Sequence, residues 1–198
     1  MPIATYGLTG GIASGKSLAV TYFGALGVPT CDTDQFARDV IAPGTPGERA
    51  LRDAIGDMYF NAEGLNRARL RAALFQDPDL KHIVESIVHP RVRDAVQTWQ
   101  TTPKPGAPYQ IVCSPLLLET ASRDSQGVIV VDLPESLQIA RGIERDGTSA
   151  EEIQRIMTTQ RDRASRLAKA DFILDNSGTR DDLQKQVVRL HQTLKDCA

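Results

Sequence analysis

The spacing of hydrophobic positions changes several times along the chain, and each change marks an element. Residues 3–8 read as a short β-strand. The stretch KSLAVTYFGALG reads as a helix that stops near Gly24 or Gly27. VPTCD is a second short strand, residues 35–42 are helical, and PGTPG breaks them. From 48 to 100 apolar residues recur at three- and four-residue steps, as in LNRARLRAALF and LKHIVESIVHPRVRDAVQTW. That spacing predicts helices, and no strand anywhere between 35 and 105. Within this block Pro90 is expected to force His89 out of helical geometry, and Phe75 and Trp99 read as core. YQIVC and VIVVDL are nearly continuous apolar runs, as in strands buried on both faces. Ser149 and Glu152 form a capping box, DFILD is a last strand, and TRDDLQKQVVRLHQTL is a C-terminal helix. Strands alternating with helices predict an α/β fold, a parallel sheet covered on both faces, with a helical insertion beside it.

Composition narrows the function classes. The chain has 198 residues, 41% hydrophobic and 24% charged, which suits one globular unit with a proper core. A net charge of −2 supplies no basic field, so neither nucleic acid nor an anionic membrane is an expected partner. Cys31, Cys113 and Cys197 lack Cys-x-x-Cys spacing, which speaks against zinc and redox motifs. Free thiols suit a reducing cytosol, so a cytoplasmic location is expected. Neither a signal-peptide pattern nor an apolar stretch of membrane-spanning length is visible. The sequence leaves the oligomeric state open.

The chemistry concentrates in GGIASGKS. Gly10, Gly15, Lys16 and Ser17 match G-x-x-x-x-G-K-[ST], placed after a strand and before a helix. Backbone N–H groups surround a triphosphate only where the chain curls tightly and no Cβ intrudes, and Gly10, Gly11 and Gly15 permit that curl. The ATP-binding set is therefore Gly10, Gly11, Ile12, Ala13, Ser14, Gly15, Lys16 and Ser17. Lys16 supplies charge to the β and γ phosphates, and Ser17 an oxygen to Mg²⁺. Such a loop serves kinases, GTPases and ATPases alike. The guanine-reading N-K-x-D is missing, its nearest approach being AKAD, and small size with scattered arginines favours a small-molecule kinase.

Asp32 and Asp34 are two residues apart and share a face if the second strand continues through them. Asp34 is the candidate base for an acceptor hydroxyl, and Asp32 the candidate to order water around Mg²⁺. The competing reading makes Asp34 the cap of a helix starting at Gln35. Arg38, one turn after Asp34, either holds an acceptor phosphate or is a surface charge. Arg141 and Arg145 share a helix face and are candidate lid arginines, Arg141 for the transition state and Arg145 for ATP. Arg161 is assigned to the acceptor. Ordinary salt bridges, for example with Glu144 or Asp146, are the alternative for this group.

Beyond the loop, CDTDQFARDVIAPGTPG, LNRARLRAALF, IVHPRV, SPLLLE, VVDLPESLQIARGIERDG and ADFILDNSG follow, in order, the pattern of the dephospho-coenzyme A kinases. The chain resembles that family from about residue 5 to 190. The resemblance implies ATP-dependent phosphorylation of the ribose 3′-hydroxyl of dephospho-CoA, with Mg²⁺. It implies a P-loop fold with a five-stranded parallel core, formed by 1–34, 106–137 and 166–198, a helical acceptor domain, 35–105, and a lid, 138–165. It points to Asp34 as base, puts His89 and its proline at the acceptor site, and puts Asn176 of DNSG near the adenine, where a simple turn is the other reading. Glu119 is placed near the acceptor, or else is a helix N-terminal acid. Two positions depart from the pattern: Ala13 stands where glycine is usual, and Leu18 where threonine is common.

Overall fold

A computed structural model describes residues 3–118 and 125–197. In chain order the elements are β1 (Ala4–Gly10), α1 (Lys16–Ala25), β2 (Thr30–Asp32), α2 (Thr33–Asp39), α3 (Pro46–Ile55), β3 (Phe60–Asn61), β4 (Gly64–Leu65), α4 (Arg67–Leu74), α5 (Pro78–Thr101), β5 (Tyr109–Cys113), β6 (Gly127–Asp132), α6 (Glu135–Asp146), α7 (Ala150–Thr158), α8 (Arg163–Leu167), β7 (Phe172–Asp175) and α9 (Arg180–Cys197). They divide into a sheet unit, Met1–Asp32 with Pro103–Ala198, and a helical unit, Thr33–Thr102.

The sheet unit is a five-stranded parallel sheet of order β2-β5-β1-β6-β7. Alternation along the strands sorts its side chains. Tyr6 and Leu8, Tyr109, Ile111 and Cys113, and Ile129 and Val131 join Ala19 and Phe23 of α1 and Leu183, Val187 and Leu194 of α9 in one core. On the opposite face the buried Gln110 amide donates to Thr5 Oγ1 at 2.9 Å. The Tyr109 hydroxyl and His191 Nδ1 lie 2.7 Å apart at the edge of the core. β1 is central, and the strands joined to it run outward in both directions, so its carboxyl end is the switch point where open α/β sheets bind ligands. The α/β class and the buried parallel strands agree with the sequence reading.

The helical unit packs α3 and α5, with α2 and α4, around Ile41, Leu51, Leu70 and Val84. Glu48 is buried here, its carboxylate accepting Gly44 N–H at 2.6 Å and pairing with Arg52. The Gly44 hydrogen bond, more than Arg52, holds this carboxyl below the usual range.

Four expectations are corrected. β3 and β4 form an antiparallel hairpin inside the block expected to be free of strands. Its turn, Ala62 and Glu63, leads into Gly64, whose φ of 105° suits glycine. His89 stays helical, because α5 runs through Pro90 for 24 residues. Proline disfavours the helical conformation of the residue before it, but burial of Val84, with Ile87 and Val88 packed beside it, holds the helix together up to that point. Phe75 is 48% exposed at the end of α4 and is no core residue. The capping box is half present: Ser149 Oγ accepts Glu152 N–H at 3.3 Å, while the Glu152 carboxylate turns to Arg155.

Candidate active site

The phosphate loop follows β1 and opens α1. Gly10 is paired with Val131 in the neighbouring strand, and a Cβ there would lie 2.5 Å from both Ser14 Oγ and Val131 O. Gly11 has no room for a side chain either, since a Cβ would collide with the Gln138 amide. Gly15 has φ 97° and backs onto the Asn176 amide. These glycines are needed for close approach as much as for conformational freedom. Ala13 adopts φ 54°, the left-handed region, so the departure from glycine is tolerated at about 1 kcal/mol of strain. Lys16 Nζ donates to Gly10 O and Gly11 O at 2.9 Å each, which holds the ammonium over the loop's own carbonyls. Ser17 is exposed in the first turn of α1.

Side chains from outside the loop hold its shape. Asn176 is 4% exposed and donates Nδ2–H to Ser14 O at 2.7 Å. The structure thus gives this side chain a buried bond under the loop, and gives the turn to Asp175, whose Oδ1 accepts Ser177 N–H at 2.8 Å. Ile12 N–H is committed to Gln160 Oε1 at 2.9 Å. Gln138, buried against Gly11, donates to Leu133 O at 2.7 Å. Arg163 grips Asp132, at the end of β6, with two bonds of 2.8 and 2.6 Å. This bidentate pair, above all other causes, holds the Asp132 carboxyl below its usual range.

The candidate arginines of the sheet unit differ in setting. Arg141 is half-buried on α6 and Arg145 is exposed one turn later, chelating Asp146 at 2.7 Å through two nitrogens. Arg161 donates Nε–H to Leu118 O at 3.1 Å, and Arg166 Nη1 donates to Arg161 O. Glu119 lies outside the described residues.

Asp32 ends β2 and is the last residue of the sheet unit's first segment. The expectation that the strand carries Asp32 and Asp34 on one face is corrected: β2 stops at Asp32, opposite Cys113, where its partner β5 also stops. With no partner to continue the ladder, the chain turns into α2, and Asp34 sits inside its first turn and not at a cap before Gln35. Asp34, Arg38 and His89 are all exposed residues of the helical unit. Arg38 donates Nη2–H to Gln35 Oε1 at 2.7 Å. α2 packs on α5, the helix that carries His89.

Gln160, Gln138, Asp132 and the pairing of Arg163 with Asp132 escaped the sequence reading of the site. Asp132 had a usable signal, as the acid ending the apolar run VIVVD. The two glutamines had none, because an amide in a polar stretch looks like any other surface residue.

A parallel sheet with this glycine loop at its switch point has the build that suits a phosphate-bearing ligand. Comparison with known proteins identifies the kind. Residues 4–182 match the family model described as dephospho-CoA kinase. A dephospho-CoA kinase from Idiomarina loihiensis is 43% identical over 188 residues, covering 94% of this chain and 92% of its own. A crystal structure of a protein from Thermus thermophilus superposes with a TM-score of 0.85 at 26% identity, over 98% of this chain and 99% of that one. The structure of a dephospho-CoA kinase from Campylobacter jejuni, at 24% identity and a TM-score of 0.66, covers 98% of both chains and has the same fold. With the family model matched over most of its length, the chain belongs to the dephospho-CoA kinase family.

Proposed function

We propose that the protein transfers the γ-phosphoryl group of ATP to the ribose 3′-hydroxyl of dephospho-CoA, giving coenzyme A and ADP, the last step of coenzyme A synthesis. The observation that carries this reading is the formed phosphate loop, with Lys16 strapped across Gly10 and Gly11, in a chain of this family. Asp34 orients the acceptor hydroxyl and takes its proton as the new O–P bond forms. Lys16 turns from the loop carbonyls to the β and γ oxygens and neutralises charge as the bond to ADP breaks. Arg141 and Arg145 serve the transferring group and ATP. Arg38, His89, Glu119 and Arg161 are the acceptor-binding set, and Asn176 serves ATP by supporting Ser14 and Gly15.

Among the described residues no group of three or more His, Cys, Asp or Glu could hold a metal ion. That fits Mg²⁺ carried largely by phosphate oxygens and water. Ser17, and Asp32 through a water, are the residues that would hold it, and when bound it lowers the charge on the β and γ oxygens. Residues 138–165 form the lid, and 35–105 the acceptor domain. None of Cys31, Cys113 and Cys197 forms a disulfide, which supports a cytoplasmic location.

The test is ADP release by the purified protein with Mg·ATP, with and without dephospho-CoA, beside AMP and adenosine. Stimulation by dephospho-CoA alone is the expected result. Stimulation by AMP instead would move the protein to monophosphate chemistry and overturn the proposal.

A further inference from the structure

The contacts of Gln160 reach beyond the loop's own residues. Its amide oxygen accepts Ile12 N–H at 2.9 Å, although 148 residues separate the two in sequence. Ile12 is the third residue of the loop, between the crowded Gly11 and the left-handed Ala13. A peptide flanked in this way has other orientations open to it, and a bond to its N–H selects one. Ser14 N–H is likewise committed, to Gly11 O at 3.2 Å. The loop is therefore held at Ile12 from outside and at Ser14 from within.

Gln160 is itself held. It follows Thr159, the C-cap of α7, and its N–H donates to Met157 O at 3.1 Å. Three residues later Arg163 is fixed to Asp132 by its two bonds, and Asp132 belongs to the strand beside β1. Asp162 caps α8 by accepting Ser165 N–H at 2.8 Å, so the short chain between Gln160 and Arg163 ends on a fixed helix. Arg166, 7% exposed, closes the same segment behind Gly11.

We propose that Gln160 is a positioning residue for nucleotide binding: it sets the Ile12 peptide, and the Asp132–Arg163 pair sets Gln160. The inference rests on the reading of the loop as the ATP site. It divides the lid range in two. Residues 160–165 belong to the floor of the nucleotide site, and any closing movement is confined to residues N-terminal to Gln160.

The experiment uses the full chain with Gln160→Ala and Gln160→Glu. Steady-state kinetics are measured in ATP and in dephospho-CoA, Mg·ADP binding by calorimetry, and melting without ligand. For Gln160→Ala the expected result is a rise of about fivefold in KM for ATP and Kd for Mg·ADP, the effect of one lost hydrogen bond. The KM for dephospho-CoA and the melting temperature stay near those of the parent. Gln160→Glu keeps an acceptor for Ile12 N–H but adds a negative charge beside the phosphates, so its loss of ATP affinity shrinks as salt is raised. Unchanged nucleotide affinity in Gln160→Ala overturns the proposal. So does an equal loss for both substrates with a lowered melting temperature, which marks a merely structural contact. If Gln160→Ala does not fold, Gln160→Glu decides, and a loss insensitive to salt counts against the proposal. Should the parent lack activity with dephospho-CoA, the functional reading fails, while Mg·ADP binding still judges Gln160.

Discussion

The phosphate loop and the acceptor candidates of the helical unit are built in opposite ways. Around the loop nearly every constraint is internal to the sheet unit: glycines with no space for a Cβ, a lysine bonded to loop carbonyls, and a buried asparagine bonded to Ser14. Asp34, Arg38 and His89 instead stand exposed on helices whose own core lies elsewhere. Under the proposed function the difference follows from what each region would bind. A triphosphate presents many oxygens in a fixed cluster, and a preorganised cradle of N–H groups lowers the cost of holding it. An acceptor hydroxyl needs one carboxylate and a few charges, which an exposed helix face presents without distortion.

Removing the charge at the centre of the cradle is the severest way to break this contrast. Lys16→Ala is expected to lower ADP formation by roughly 10²–10³-fold, the range for losing one preorganised charge or donor at the reacting group. KM for dephospho-CoA should stay near its parent value, and steady-state assays in both substrates check this. Asp34→Asn, on the other side of the comparison, should lower turnover by about 10²-fold or more while Mg·ADP binds as in the parent. Full turnover in this variant would remove Asp34 as base.

Asn176→Ala sharpens the contrast from beneath. It takes a buried amide from under Gly15 and leaves Ser14 O without that donor. A loss of about 1–3 kcal/mol of stability is expected in urea unfolding, together with weaker Mg·ADP binding. The smallest effect lies away from both sites. Burial, and secondly Lys195, depress the basicity of His191. A base that resists protonation when folded favours the folded state above its unfolded pKa of about 6.5. Stability should therefore fall as pH drops below that value and level off beneath the folded pKa. His191→Gln should flatten this part of the pH–stability curve.

Much of the sheet unit was legible because its signals are local. β5 and β6 are apolar runs with both faces buried, and the loop declares itself by glycine, lysine and serine at set spacing. What stayed hidden depends on partners distant in sequence. β2 ends at Asp32 because β5 ends opposite it, which no property of CDTD reveals. Each strand of the β3–β4 hairpin has two residues, too few for any period to show. Pro90 was read by its local rule, and the packing of α5 overrode it. Asn176 looked like a turn or an adenine contact; its bond to Ser14 spans 162 residues. Gln160 and the Asp132–Arg163 pair were out of reach for the same reason.

A loop held by close-packed glycines and by Asn176 should need no rebuilding to take a nucleotide. A crystal structure of the protein with Mg·ADP tests it most directly. The backbone of residues 10–17 is expected to match the loop described above to within about 1 Å, with Gly15 and Ala13 at positive φ, Asn176 bonded to Ser14 O, and Lys16 turned from the loop carbonyls to the phosphates. A loop rebuilt on binding, with either φ changed in sign or Asn176 released, would contradict it.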